Sequence, residues 1–200
     1  MPRALRSWSA VLLAGLAAVV SAGRSADDDE VDPRVVKEAS ETLTKLAKDM
    51  DRMKAADVKK VGDDMARKYS LEQVMWSLKL RSKLGVGVGA VAGAIKPDGI
   101  EFKLIDLAKE KLPAGKVAAE GAALIQAARL TGALGRVTLS FTPPPAKPGT
   151  PVGSWEKFSK EMQKGSADLE AALKKADPKA IQTAATTLRA SCVECHAAYR

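Results

Sequence analysis

The chain has 200 residues, 46% hydrophobic and 28% charged, with a formal net charge of +8, a size that suits one domain with a real core. Aromatic residues make up only 4% of it and no long Lys/Arg tract occurs, so it lacks the stacking platform and basic stripe that nucleic-acid binding needs. The scattered positive charge suits solubility and weak docking to an acidic partner.

The first residues read as a targeting segment. A basic lead with Arg3 and Arg6 precedes the apolar run SAVLLAGLAAVV, and VSA at 20–22 places small residues at the −3 and −1 positions of a cleavage site. This is the pattern of a secretory signal peptide, and the apolar run falls short of the roughly 20 residues of a membrane span. A cut after Ala22 removes two arginines and no acids, taking the charge from +8 to +6. The expected product is exported, periplasmic and without a stable membrane anchor. Residues 23–31, GRSADDDEV, read as a solvated acidic tail, which leaves 32–200 as the folded domain.

A first long helix begins with Asp32 as N-cap and Pro33 at the first helical position. Val36, Ala39, Leu43, Leu46, Met50 and Met53 recur at steps of three and four, one face of a helix. The pattern can run on, with a break near Asp57, to about Lys68. Ser70 and Gln73 then have capping-box spacing, which predicts a short helix over about 71–83. The glycines at 85, 87, 89 and 93 fit neither the dinucleotide fingerprint nor the P-loop; a flexible loop is the expectation. DGIEFKLIDLAKEKL at 98–112 predicts another short helix.

A second long helix, AGKVAAEGAALIQAARLTGALG, is rich in small residues, so neighbouring backbones can approach it. RVTLSF at 136–141 is the one candidate strand. TPPPAKPGTP holds five of the ten prolines and predicts a stiff extended connector. The third long helix starts after Ser154, with Trp155, Phe158, Met162, Gly165, Leu169 and Ala172 on its seam. The fourth repeats the Asp-Pro start at Asp177 and Pro178, and its seam is Ile181, Ala185, Leu188, Cys192, Cys195 and Tyr199. So short a connection predicts an antiparallel hairpin. The expected fold is an all-α four-helix bundle carrying the segment 70–112 as an insertion between the first two long helices.

Both cysteines and the only histidine lie in the last nine residues. Cys192 and Cys195 are three apart on a helix and share a face; His196, four from Cys192, leans the same way. Two thiols can add to the vinyl groups of a haem and one imidazole can hold its iron. C-x-x-C-H is the c-type haem attachment signal. The rival readings are weaker. A thiol–disulfide oxidoreductase wants its pair at a helix N-terminus, where the dipole lowers the thiol pKa. A structural zinc site wants four ligands, and only three are present. A Cys192–Cys195 disulfide would close almost no loop. With its one histidine used, the chain has no Ser-His or Cys-His pair for covalent catalysis, so no enzyme is expected.

The end of the chain, SWEKFSKEMQKG followed by DPKAIQTAATTLRASCVECHAAYR, resembles the last two helices of a cytochrome c′, a class II c-type cytochrome. The likeness covers about the final 50 residues well and the first helix loosely. It implies a four-helix bundle with one covalent haem c, thioethers at Cys192 and Cys195, His196 as proximal iron ligand, and Arg200 as the basic residue shielding the proximal face. It also implies electron transfer with redox proteins, binding of a small gas such as NO or CO where the sixth site is vacant, and dimerisation through the first two long helices. The insertion departs from the family pattern. No second histidine exists, so the sixth ligand is methionine, lysine or nothing. His196 lies roughly 27 Å along the fourth helix. In an up-down-up-down bundle it faces Ala39, Leu43 and Leu46 of the first, none of which binds iron. Met75, beside Trp76 in the insertion, is the methionine best placed to fold over the haem; Met50, Met53, Met65 and Met162 read as core filler.

Overall fold

The computed structural model describes residues 31–200, which form one unit. The segment 1–22 expected to be a signal peptide, and nearly all of the acidic stretch expected as a tail at 23–31, lie outside the described residues. Seven α-helices follow in order: α1 Pro33–Asp49, α2 Ala55–Lys68, α3 Leu71–Met75, α4 Ile100–Lys109, α5 Ala114–Val137, α6 Ser154–Lys174 and α7 Pro178–Tyr199. The fold is an all-helical bundle, and no strand occurs among the described residues.

Local signals start the helices. The Asp32 carboxylate accepts from the backbone N–H of Arg34, and the Asp177 carboxylate from those of Lys179 and Ala180, each followed by proline at the first helical position. The Ser70–Gln73 capping box is complete in both directions. The first long helix is two: a 3₁₀ turn at Met50–Arg52 separates α1 from α2, a few residues before the expected break at Asp57. The two halves fold back on each other, with Lys68 paired to Glu38. The helix expected over 71–83 stops at Met75 and continues only as 3₁₀ turns at 76–78 and 81–83. Ser154 is itself helical, with Gly153 as the cap.

RVTLSF is not a strand. Arg136 and Val137 finish α5, and Thr138–Ser140 is a 3₁₀ turn. Thr138 satisfies its hydroxyl on the Gly135 carbonyl and on Ser159 Oγ, both 3.0 Å away, and its own carbonyl accepts from the Trp155 indole at 3.1 Å. These tertiary bonds outweigh the weak strand propensity of the β-branched residues. The proline-rich connector is neither helix nor strand, and it turns at 147–150, where the Thr150 N–H donates to the Lys147 carbonyl at 3.1 Å.

The glycine-rich stretch is ordered around one carboxylate. Asp98 accepts from Arg81 Nε at 2.9 Å, Val88 N at 2.8 Å and Gly93 N at 2.9 Å. Gly87, at φ +78°, has no room for a Cβ beside the Arg81 guanidinium. The flexible loop expected here is therefore a tied-down lobe.

α6 is the antiparallel neighbour of both α5 and α7. Arg129 on α5 pairs with Glu170 on α6 at 2.7 Å. A Cβ at Gly132 would lie 3.2 Å from Ser166 Cβ, and one at Gly165 would lie 2.9 Å from Leu188 Cα. Small residues let these helices come close, and Leu124, Leu134, Leu169, Ile181 and Leu188 fill the core between them. α1 packs on α5 and on the 71–78 segment.

The insertion supplies the other neighbour of α7. α4 buries Ile100, Leu104 and Leu107 and runs antiparallel to α7, with Gln182 Nε2 donating to the Lys109 carbonyl at 3.1 Å. The expectation that the N-terminal half of the first helix faces the end of α7 is corrected here. An amphipathic helix of the insertion has taken that flank.

Candidate haem site

The candidate residues gather on the last turns of α7. Leu188 is fully buried; one turn on, Cys192 is half-buried and packs against the core, Cys195 is half-buried, and His196 is more open to solvent. Both thiols are free. Three links fix this end of the helix. Trp155 meets Tyr199 edge to face with ring centroids 5.2 Å apart. Lys147 of the connector donates its backbone N–H to the Ala198 carbonyl at 2.9 Å. Arg200 donates its own to the His196 carbonyl at 2.9 Å.

Electrostatics at the cluster follow from burial and from two helices. Burial pushes the Cys192 thiol up to about 11, with Cys195 and the Glu101 carboxylate pushing the same way. Burial also raises Cys195. His196 is held below the ordinary imidazole value by the atoms crowding its ring and by the Arg200 and Lys79 cations, against the pull of Glu101. Thiols this protonated, at a helix C-terminus, are poor nucleophiles toward a disulfide, and the dithiol-redox reading loses its physical basis. The neutral imidazole is the form that binds a metal.

Glu101 and Lys79 are the two members that sequence reasoning missed. They pair at 3.9 Å and come from the start of α4 and the segment before it. No sequence signal marks them, because their nearness to His196 arises from the docking of α4 on α7. Met75 is half-buried and packs against the core. Met65 and Met162 are buried in the core, while Met50 and Met53 pack against it, the role of filler expected for them. Ala39, Leu43 and Leu46 are buried in the core as well.

The donor set fits a covalently held haem. Two free thiols and one imidazole share a face, Leu188 is fully buried one turn before Cys192, and Cys192 packs against the core while Cys195 is half-buried. Comparison with known families agrees with this chemistry: residues 153–200, the whole α6–α7 hairpin with its last turn, match the family model described as cytochrome C′.

That hairpin is similar to cytochrome C′. Proteins of that family bind haem c, and the donor set of α7 is consistent with one covalently attached haem. No curated protein and no solved structure matches the chain. Among the described residues no helix is long and apolar enough to cross a membrane.

Proposed function

We propose that the protein is an exported, periplasmic mono-haem cytochrome that transfers electrons and is not an enzyme. The observation that carries this reading is the convergence of Cys192, Cys195 and His196 on one face of α7, the cysteines half-buried and His196 exposed, within the segment that matches the family.

Cys192 and Cys195 would hold the haem by adding their thiols to its two vinyl groups, an addition that needs no oxidant, and His196 would be the residue that holds its iron. Haem supplies one-electron chemistry by cycling its iron between two oxidation states. The chain's own groups would set the conditions: buried Leu188 supplies an apolar neighbour one turn before Cys192, Arg200 would shield His196, and the Lys79–Glu101 pair places charge close to His196. The basic surface favours acidic redox partners. The small-residue surface of α5 and the first helix are where a homodimer would form.

The sixth position separates this reading from its rival, the binding of NO or CO. With one histidine in the chain, the occupant is a methionine, a lysine or nothing, and Met75 is the methionine expected there. The test is the visible spectrum of protein matured with haem-attachment machinery. A low-spin spectrum with a methionine–iron charge-transfer band, lost in Met75→Ala, supports the electron carrier. A high-spin five-coordinate spectrum that shifts under CO supports the gas binder. A colourless product with two titratable thiols overturns both. His196→Ala and Cys192→Ser each alter the holoprotein's spectrum, the latter leaving a haem that keeps one vinyl group.

A further inference from the structure

Away from α7, a cleft of about 790 Å³ opens between α1 and the 81–86 turn, within the size range of small-ligand sites. Its lining includes five cations, Arg34, Lys37, Lys45, Lys48 and Arg81, against one carboxylate, Glu41. Arg34, Lys37 and Arg81 have carboxylate partners in Asp32, Glu41 and Asp98. Lys45 and Lys48 have none among the described residues. Ser40 also lines the cleft; it is 6% exposed, and its hydroxyl has no hydrogen-bond partner.

The opposite wall carries a conformational anomaly. Leu84 adopts φ +68°, left-handed backbone that is costly for a residue with a branched hydrocarbon side chain. The side chain is nonetheless 39% exposed, so burial does not offset the strain. The turn is locked by Gly85, where a Cβ would collide with the Lys79 carbonyl. Strain that displays an apolar side chain beside unpaired cations points to use.

We propose that this cleft binds a small organic anion with an apolar body, such as a hydrocarbon carboxylate. The anionic group sits against Lys45 and Lys48, and the hydrocarbon lies on Leu84 and Val86. The cleft is lined by none of the residues of the haem cluster, so this site stands whether the iron carries electrons or gas.

The test is isothermal titration calorimetry on the mature holoprotein with dodecanoate. Expected is one site per chain, weakened at least tenfold in Lys45→Glu/Lys48→Glu. Both lysines are exposed, and unchanged circular dichroism checks the fold of that variant. Leu84→Gly is the decisive second variant. It relieves the left-handed residue, so its Tm holds or rises while dodecanoate binding weakens at least fivefold. Equal binding of dodecyltrimethylammonium, or wild-type affinity in the double variant, overturns the proposal. Binding of anionic phosphatidylglycerol vesicles without binding of free dodecanoate also overturns it, in favour of a membrane surface.

Discussion

Trp155, in the first turn of α6, stands edge to face against Tyr199, the last residue of α7. The contact closes the open end of the helical hairpin beside the haem motif. An aromatic pair of this geometry is worth about 0.5–1.5 kcal/mol beyond its burial. Trp155 also anchors α5 through its indole bond to the Thr138 carbonyl. Trp155→Ala therefore loosens three helices, at a cost of roughly 3–5 kcal/mol. Thermal unfolding measures that cost. Amide exchange then shows faster opening at 196–200 than at 181–188, whereas uniform exchange along α7 would mean that the ring pair does not clamp the end.

Gly165 permits the close approach of α6 and α7. A Cβ there would lie 2.9 Å from Leu188 Cα, and backbone cannot yield as a flexible side chain can. Gly165→Ala forces the helices apart and lowers stability by roughly 1–3 kcal/mol. Because Leu188 is one turn from Cys192, the haem absorption bands shift too. A variant with wild-type Tm would show that the hairpin has slack.

Asp98 organises the glycine-rich lobe. Burial alone would raise its pKa, but the Arg81 guanidinium and the amides of Gly93 and Val88 overcome it and hold the carboxyl below its ordinary 3.8. The folded value is thus lower than the unfolded one. The stabilisation is fully present above the unfolded pKa and drains as pH falls through the folded pKa. Asp98→Asn costs roughly 1–3 kcal/mol at neutral pH. The gap in Tm between wild type and variant narrows below about pH 4. A gap that does not change with pH would remove the carboxylate from this role.

Lys103 is a buried cation on α4, 5% exposed, paired with Glu120 on α5 at 2.8 Å and donating to the Lys96 carbonyl at 3.0 Å. Removing one partner strands the other's charge in the interior. Lys103→Met costs roughly 3–5 kcal/mol. Lys103→Met combined with Glu120→Leu recovers much of that loss, read by denaturant unfolding. Additive losses would show that the two residues act independently.

How much of this was legible in the sequence depends on whether a feature is local. The Asp-Pro starts of α1 and α7, the capping box at Ser70 and the core seams were readable because a helix repeats its rules within a few residues. Cys192, Cys195 and His196 were readable for the same reason. The flank of α7 was not. Nothing near Glu101 or Lys79 announces a role beside His196, since that role exists only once Ile100, Leu104 and Leu107 bury against the rest of the bundle. RVTLSF misled because its β-branched residues suit an edge strand, while the bonds of Thr138 to Gly135 and Ser159 come from tertiary contacts that no short window contains.

The docking of α4 beside α7 divides the labour between two stretches of chain. Residues 153–200 carry the means of holding a haem, whereas Lys79 and Glu101 lie outside that stretch and act on His196 through space. A charge swap at either position would change the field at His196 while Cys192, Cys195 and His196 stay as they are. The electrostatic setting of this histidine can therefore drift over generations without touching the C-x-x-C-H sequence.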